Sequence, residues 1–341
     1  MQLDKRLQTL HQLGRRLLEE DDYYMAVAKR TAFDNPWFTE ANMQTASRSI
    51  ATQLLDAAQL KEWSLHYQFP SEPLARKVAL VPAGEMPFSG FQDLLCILAV
   101  GHEAQIKLSD GDKYLLPYIA KLLKEQNEAF AKYIRFVDKL SDFDAAIVTS
   151  TNEKMVNTYQ RYFKAWPHIV RRLRRSVAVL SGAESEEQLG TLANDVFQYF
   201  GLGKRSVSKV FVPQGYDFTK LLEIFHQHNQ LVLNSKYKNN FDYNTALLMM
   251  NQVPYLSNGA IILKEDRALE SRIATLHYEF YESETALVNT LLAQQDEVEC
   301  VVSTMPAVQA AMPVLDFGQT VRPSLFDYAG GTDTVNFLLQ L

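Results

Sequence analysis

The sequence predicts an α/β protein whose first half is built around a parallel sheet with crossover helices. Three short apolar runs, at 77–81, 104–108 and 145–148, alternate with helical patterns. This alternation is typical of parallel sheets, because neighbouring parallel strands are usually joined through a helix. Ligands of such sheets bind at the carboxyl ends of the strands. The loops that follow these three runs are therefore the first candidates for a binding site.

The elements around these strands follow from apolar spacing. Leucines recur every three or four residues from Leu3 to Leu17, which predicts a helix, and a second helix is expected over 39–63. Between the first two predicted strands, apolar residues have helical spacing from Phe91 to Leu98, and Gly101 is a candidate C-cap of this helix. Further helices are expected over 115–130 and 154–163.

A second alternation begins near residue 177. Strands are predicted at 177–180, 209–212, 260–263, 273–278 and 298–303, and helices at 186–200 and 221–228. Ser185 and Gln188 have the spacing of a capping box at the start of the first of these helices.

Composition limits the class of protein. A chain of 341 residues with 47% hydrophobic and 22% charged residues predicts a globular protein of two domains. The net charge of −6 argues against nucleic acid as the main partner. The sequence has no apolar run of membrane-spanning length, and its first residues are amphipathic, unlike a signal peptide. We therefore expect a soluble cytoplasmic protein without a membrane span.

One turn stands out for its possible chemistry. Gly201 and Gly203 lie between a predicted helix and the strand at 209–212, and the turn that they form would present Lys204. Glycines permit positive φ and close backbone approach, as in turns that display a nucleophile.

Several other polar groups allow two interpretations. The basic cluster at 171–175 is either a solvated face or a seat for phosphates. His277 and Glu279 share one face of a predicted strand, where they would act as an acid–base pair or form structural hydrogen bonds. Cys96 and Cys300 lie in apolar patterns and are expected to be buried.

Motifs for cofactors and metals are scarce. The sequence contains neither a GxGxxG fingerprint nor a GKS or GKT phosphate loop. His226 and His228 are two residues apart on a predicted helix, so they would not face one metal ion. No metal site is predicted.

A set of motifs resembles one family along nearly the whole chain. These are VPAGEMPFSGF (81–91), GHEAQIKLSD (101–110), PHIVR (167–171), SVAVLSG (176–182), YFGLG (199–203), VSKVFVP (207–213), NFDYN (240–244), LHYE (276–279), CVVS (300–303) and FDYA (326–329). In this order they are similar to the acyl-CoA reductases of the bacterial luminescence type, a branch of the aldehyde dehydrogenase superfamily. Forms from Bacteroidetes-like bacteria are the nearest in pattern.

The resemblance implies an aldehyde-dehydrogenase-like fold with a Rossmann-like NAD(P)-binding domain and an α/β catalytic domain. We expect the first over 1–180, the second over 181–317, and a tail at 318–341 that returns to the first. Members of the family reduce a fatty acyl-CoA or acyl thioester to an aldehyde. A cysteine thiolate takes the acyl group, NADPH supplies hydride, and an asparagine side chain and a backbone N–H stabilise the oxyanion.

Part of the family's cofactor site carries over to this sequence. Lys107 and Ser109 match the lysine-x-serine that holds the adenosine ribose or its phosphate, and Pro82 and Ala83 match the backbone beside the nucleotide. The cofactor loop, threonine-glycine-serine in the family, is Thr149-Ser150-Thr151 here.

Three functional positions differ from the family. Lys204 stands at the position of the cysteine, Glu85 at that of the asparagine, and Ser150 at that of the loop glycine. We expect Glu85 and Lys204 to form an ion pair, reductase activity to be lost or altered, and NADP(H) affinity to be weakened.

The alternative is an active reductase of acyl-CoA or another acyl thioester that uses an unrecognised nucleophile. Ser206 and Ser208 are close in sequence, and a deprotonated Lys204 would also attack a carbonyl. A homodimer is expected by analogy with the family.

Overall fold

The computed structural model describes residues 1–150, 152–172 and 174–341. The chain forms two compact units. The first comprises Met1–Leu173 and Arg322–Leu341, and the second comprises Arg174–Val321.

The first unit contains a five-stranded parallel sheet. Its strands are β1 (Lys77–Val81), β2 (Glu103–Ile106), β3 (Ile134–Phe136), β4 (Ala145–Thr149) and β5 (His168–Arg171), in the order β3-β2-β1-β4-β5. The predictions of β1, β2 and β4 are confirmed, because their apolar runs are buried. Sequence reasoning missed the two edge strands, which are short and partly exposed.

Seven helices precede the second unit within the described residues. They are α1 (Leu3–Leu17), α2 (Asp22–Asp34), α3 (Glu40–Ser49), α4 (Ala57–Leu65), α5 (Phe91–Val100), α6 (Leu115–Gln126) and α7 (Glu153–Tyr162). The single helix expected over 39–63 was wrong. A π-helical turn at Ile50–Leu54 ends α3, and Asp56 caps a new helix by accepting from Ala58 N and Gln59 N.

The second unit contains a six-stranded sheet in the order β11-β6-β7-β10-β9-β8. Its strands are β6 (Arg175–Val179), β7 (Val207–Pro213), β8 (Leu256–Ser257), β9 (Ile262–Glu265), β10 (Thr275–Tyr281) and β11 (Val298–Val302). Its helices are α8 (Glu186–Phe197), α9 (Thr219–Phe225), α10 (Ser235–Met250), α11 (Glu284–Ala293) and α12 (Pro306–Ala311). Among the described strand pairs of this sheet, only that of β8 with β9 is antiparallel. Apolar clusters cover both faces of the sheet.

The boundaries of the units differ slightly from those expected. The first lies after residue 173 and not after 180, because β6 pairs with β7 and β11 of the second sheet. The second lies after residue 321, because buried Asp195 on α8 accepts from Gly318 N at 2.6 Å and Thr320 N at 3.0 Å. The capping box of Ser185 and Gln188 is present as predicted.

The C-terminal segment 322–341 belongs to the first unit and ends in α13 (Thr334–Leu339). Val335 and Leu338 are fully buried. Tyr328 accepts a hydrogen bond from Trp63 Nε1 at 2.7 Å. The segment therefore contributes to the core of the first unit. Among the described residues, no helix has both the length and the apolar character needed to span a membrane.

Candidate functional site

Residues of the predicted cofactor site follow three neighbouring strands of the first unit. Pro82 and Ala83 follow β1, Lys107 follows β2, and Thr149 ends β4. Because β2, β1 and β4 are adjacent and parallel, their carboxyl ends lie at one edge of the sheet. The structure therefore brings these residues to a common edge, as the sequence predicts.

The loops after β1 and β2 pack against each other with very little space. Gly84 has a φ of +75°, and a Cβ built on it would lie 2.4 Å from both Cβ and Oγ of Ser109. Such distances are far inside van der Waals contact, so glycine is required at this position. The Ser109 hydroxyl accepts from Gly111 N at 3.2 Å. That bond leaves the hydroxyl hydrogen available for a ligand.

A buried carboxylate holds the same two loops together. Asp112 is 4% exposed, and its carboxylate accepts from Phe88 N at 3.2 Å and from Leu115 N at 3.1 Å. Burial raises the pKa of Asp112 to about 6. Sequence reasoning missed this residue, because Asp112 accepts from Leu115 N without occupying the N-cap position, which is Tyr114.

The loop after β4 begins α7. The hydroxyl of Ser150 accepts from Asn152 N at 3.2 Å, and the Asn152 side chain accepts from Lys154 N at 2.9 Å. The loop position that is glycine in the family thus carries a side chain bonded to the loop's own backbone. Thr151, the third predicted residue of this loop, lies outside the described residues.

The arginines of the basic cluster at 171–175 do not form one phosphate-binding site, because they have different partners. Arg171 is 4% exposed and donates to both carboxylate oxygens of Asp93, at 2.7 and 2.9 Å. Arg175 belongs to the second unit, where it pairs with Glu270. Arg172 is exposed, in line with the solvated-face interpretation.

The turn that carries Lys204 has an unusual backbone. Tyr199, Phe200 and Gly201 have φ values of 54°, 60° and 72°. The first two are rare for residues with a Cβ, and such strain often occurs at functional sites. Sequence reasoning predicted the left-handed conformation for Gly201 and missed it for the two aromatic residues.

Two hydrogen bonds fix the turn itself. The Lys204 carbonyl accepts from Ser176 Oγ on β6 at 3.0 Å. Arg205 Nε donates to the Thr320 carbonyl at 2.7 Å. The backbone around Lys204 is thus held on both sides within the second unit.

The side chain of Lys204 pairs with a buried carboxylate. Its Nζ lies 3.4 Å from Oε1 of Glu299, and the two side chains are 16% and 4% exposed. Glu299 lies on β11, where the pairing register with β6 shifts between Val298 and Val301. Sequence reasoning missed Glu299, although a single charge inside an apolar strand signals a need for a partner.

The predicted ion pair of Glu85 and Lys204 stays a prediction. Glu85 is half-buried in the first unit, and Lys204 lies in the second.

Other candidate nucleophiles are poorly placed. Cys96 is 1% exposed, and burial raises the pKa of its thiol well above the ordinary value. Cys300 is 9% exposed on β11, as expected for a small apolar residue. Ser206 is 4% exposed, and buried Ser208 donates its hydroxyl to the Leu269 carbonyl at 2.6 Å. These groups do not offer an accessible nucleophile.

The pair His277 and Glu279 lies on one face of β10, but its contacts are structural. Glu279 accepts from Lys209 Nζ at 2.5 Å, and Lys209 is fully buried. His277 Nδ1 lies 3.0 Å from the Ala268 carbonyl, and burial lowers the pKa of the imidazole. The structure favours the hydrogen-bonding interpretation. Among the described residues, no group of three or more His, Cys, Asp and Glu could hold a metal ion.

Comparison with known proteins places the fold. No family model and no curated protein matches this sequence. Solved structures do match over most of the chain. A variant of aldehyde dehydrogenase C from Pseudomonas syringae, in complex with NAD⁺ and octanal, has 11% identity and a TM-score of 0.64, covering 91% of this chain and 74% of its own.

Two further structures agree with this match. The aldehyde dehydrogenase KauB from Pseudomonas aeruginosa has 13% identity and a TM-score of 0.63, over 92% of this chain and 75% of its own. An NAD-dependent aldehyde dehydrogenase from Sinorhizobium meliloti has 10% identity and a TM-score of 0.64, over 95% and 73%. The chain therefore has the aldehyde-dehydrogenase-like fold, with a Rossmann-like unit and a second α/β unit.

Proposed function

We propose that the chain is a divergent homologue of the NADPH-dependent acyl-CoA reductases that keeps a nicotinamide dinucleotide site and has lost or altered the reduction. The observation that carries this proposal is the pair of Lys204 and Glu299. At the turn where the family has its nucleophile, this protein holds an ammonium 3.4 Å from a buried carboxylate.

The chemistry of acyl transfer explains why this pair is unsuitable. A thiolate is a strong nucleophile, and its acyl thioester stays reactive toward hydride. A lysine beside a carboxylate is stabilised in its charged form, which has no lone pair for attack. If the amine were acylated, the product would be an amide, which resists reduction. Glu85, at the position of the family's asparagine, would repel an oxyanion when ionised.

The cofactor proposal rests on the edge of the first sheet. Pro82, Ala83, Lys107 and Ser109 lie in loops at its carboxyl edge, where dinucleotides bind in open α/β sheets. A neighbour of the same fold is in complex with NAD⁺. The resemblance assigns Lys107 and Ser109 to the adenosine ribose or its phosphate, and it favours NADP(H). When bound, the nicotinamide would supply or accept hydride.

These residues are chemically suited to such a group. Lys107 supplies a positive charge for a phosphate, and the Ser109 hydroxyl has a hydrogen to donate. In the loop after β4, the side chain of Ser150 fills space that glycine would leave open. Its hydroxyl hydrogen-bonds to the backbone of Asn152. We therefore expect the dinucleotide to bind more weakly than in a chain with glycine at this position.

The alternative, an active reductase with another nucleophile, has less support. Ser206 and Ser208 are buried, and the Ser208 hydroxyl is committed to a backbone carbonyl. Among the nucleophiles weighed within the described residues, this alternative would require Lys204 in its deprotonated form.

Titration with NADPH and NAD⁺ tests the cofactor proposal. We expect the wild type to bind, Lys107→Ala to bind NADPH more weakly, and Ser150→Gly to bind more tightly. Wild-type protein that binds neither nucleotide at millimolar concentration would overturn this part of the proposal.

Restoring the family's residues at positions 204 and 85 tests the proposed loss of catalysis. The contact of Lys204 with Glu299 means that position 299 must be changed as well. Lys204→Cys alone would place a thiol beside buried Glu299, whose charge would raise the pKa of the thiol. The informative variant therefore combines Lys204→Cys, Glu85→Asn and Glu299→Gln. We expect acyl-CoA-dependent NADPH oxidation to appear in this variant and to be absent from Lys204→Cys with Glu85→Asn alone.

The expected homodimer also stays a proposal, which sedimentation of the purified chain would test.

A further inference from the structure

A hydrogen-bonded network links the C-terminal segment 322–341 (the returning segment) to the end of β4. Its four side chains are Arg171, Asp93, Thr149 and Thr334. Arg171 on β5 donates from Nη1 and Nη2 to the two carboxylate oxygens of Asp93 on α5, at 2.7 and 2.9 Å. The same Nη2 lies 2.8 Å from the hydroxyl of Thr334, the first residue of α13. Nη1 lies 3.4 Å from the hydroxyl of Thr149. One guanidinium thus contacts α5, α13 and the last residue of β4.

Three of the four side chains in the network are buried, and Thr149 is half-buried. Arg171 is 4% exposed, Asp93 is 8% exposed and Thr334 is 1% exposed. A bidentate guanidinium–carboxylate pair fixes the plane of the guanidinium. In a buried site, water cannot readily replace a lost partner, so a change at one partner affects the others.

The returning segment also passes near the stem of Arg171. Gly330 has a φ of +67°, and a Cβ built on it would lie 3.6 Å from Cγ and Cδ of Arg171. The segment therefore passes near the stem of this side chain at Gly330 and contacts its head through Thr334.

We propose that the returning segment supports the nicotinamide dinucleotide site through Thr334, with Arg171 and Thr334 as positioning residues for Thr149 at the start of the loop after β4. This inference rests on the proposed function, which assigns that loop to the dinucleotide. Thr334 holds one edge of the guanidinium, and the other edge is directed at Thr149. Loss of the Thr334 hydroxyl removes one of the two contacts that orient Nη2. The pair with Asp93 remains, but the network loses one of its hydrogen bonds, so Thr149 loses part of its support.

The competing explanation is that the network only anchors the segment. A second anchor separates the two explanations, because it holds the same segment without contact to the Arg171 side chain. Tyr328 accepts from Trp63 Nε1 at 2.7 Å, and its hydroxyl lies 2.6 Å from that of Tyr67. Tyr328→Phe therefore loosens the segment and serves as a matched control.

The test compares Thr334→Val, Thr334→Ser and Tyr328→Phe with the full-length wild type. NADPH and NAD⁺ are titrated by fluorescence and calorimetry, thermal midpoints are recorded, and amide exchange is followed at Ser150 and Asn152. We expect Thr334→Val to bind NADPH about three- to tenfold more weakly, which corresponds to the net contribution of one ordinary hydrogen bond. Exchange in the loop should become faster in this variant. Thr334→Ser should retain wild-type affinity, and Tyr328→Phe should lower the thermal midpoint without a change in affinity.

The possible failures are distinguishable. If the wild type binds NADPH and Thr334→Val binds equally well with unchanged loop exchange, this inference is overturned and the proposed function stands. An equal loss of affinity in Tyr328→Phe would also overturn it, since the segment would then act only as an anchor. A wild type that binds neither nucleotide overturns the proposed function, and this inference with it.

Discussion

Lys204 Nζ lies 3.4 Å from Oε1 of Glu299, and the Glu299 side chain is 4% exposed. The lysine at this turn therefore lies within ion-pair distance of a buried carboxylate of the same unit. Taking a carboxylate out of water costs several kcal/mol unless a cation is close. Lys204 supplies such a cation to Glu299.

The first prediction concerns the stability of this pair. Lys204→Met should destabilise the second unit by about 3 kcal/mol, because buried Glu299 loses the cation at 3.4 Å. Adding Glu299→Gln should restore part of the loss. Urea denaturation of the four proteins of this double-mutant cycle measures the coupling. Additive effects of the two substitutions would show that the pair has no such role.

The second prediction concerns pH and Asp112. Its pKa is about 6 in the folded protein and 3.8 as the ordinary value. Between these values the folded state binds more protons than the unfolded state, so stability falls as pH rises through this window. A shift of this size corresponds to roughly 3 kcal/mol. Relative to Asp112→Asn, the wild type should therefore lose stability from pH 4 to pH 6 and change little above. Denaturation midpoints at several pH values check this, and a constant difference would refute the assignment.

The third prediction concerns the contact of Gly84 with Ser109. Gly84→Ala would place a Cβ 2.4 Å from Ser109 at a φ of +75°. We expect both loops to shift, with weaker NADPH binding and a loss of stability above the ~1–2 kcal/mol of left-handed strain alone. Gly215→Ala is the matched control, because Gly215 has a φ of +77° with nothing within 4 Å. Equal losses in the two variants would contradict the claim of a close approach.

The fourth prediction concerns buried Lys209. Glu279→Gln should cost about 3 kcal/mol or more, because the Lys209 side chain is 0% exposed and loses its carboxylate. The exposed pair of Lys238 and Asp242 gives the comparison, since its side chains are 45% and 55% exposed. Asp242→Asn should change stability by less than about 1 kcal/mol. Chemical denaturation measures both, and similar small effects would mean that Lys209 is not held by this pair.

Much of the first sheet could be predicted from the sequence. The runs of β1, β2 and β4 are apolar because these strands are buried, and that pattern is local. Strands β3 and β5 carry no such pattern, because edge strands are partly exposed. The break between α3 and α4 was missed because its apolar spacing continues through the π-helical turn.

Partners of buried charges were the hardest part of the site to predict. Glu299 is 95 positions from Lys204, and Asp93 is 78 positions from Arg171. These pairs form through packing of distant segments, which local pattern does not encode. The sequence does show that such charges are unusual in apolar surroundings, but the identity of each partner comes from the fold.

The most direct test of the proposed loss of reductase activity compares acyl-CoA-dependent oxidation of NADPH by the wild type and by Lys204→Ala. Acyl-CoA substrates of several chain lengths are supplied at saturating NADPH, and aldehyde is measured as the product. We expect no turnover above the rate without acyl-CoA in either protein. Aldehyde formation by the wild type that disappears in Lys204→Ala would contradict it, because Lys204 would then be the nucleophile of an active reductase.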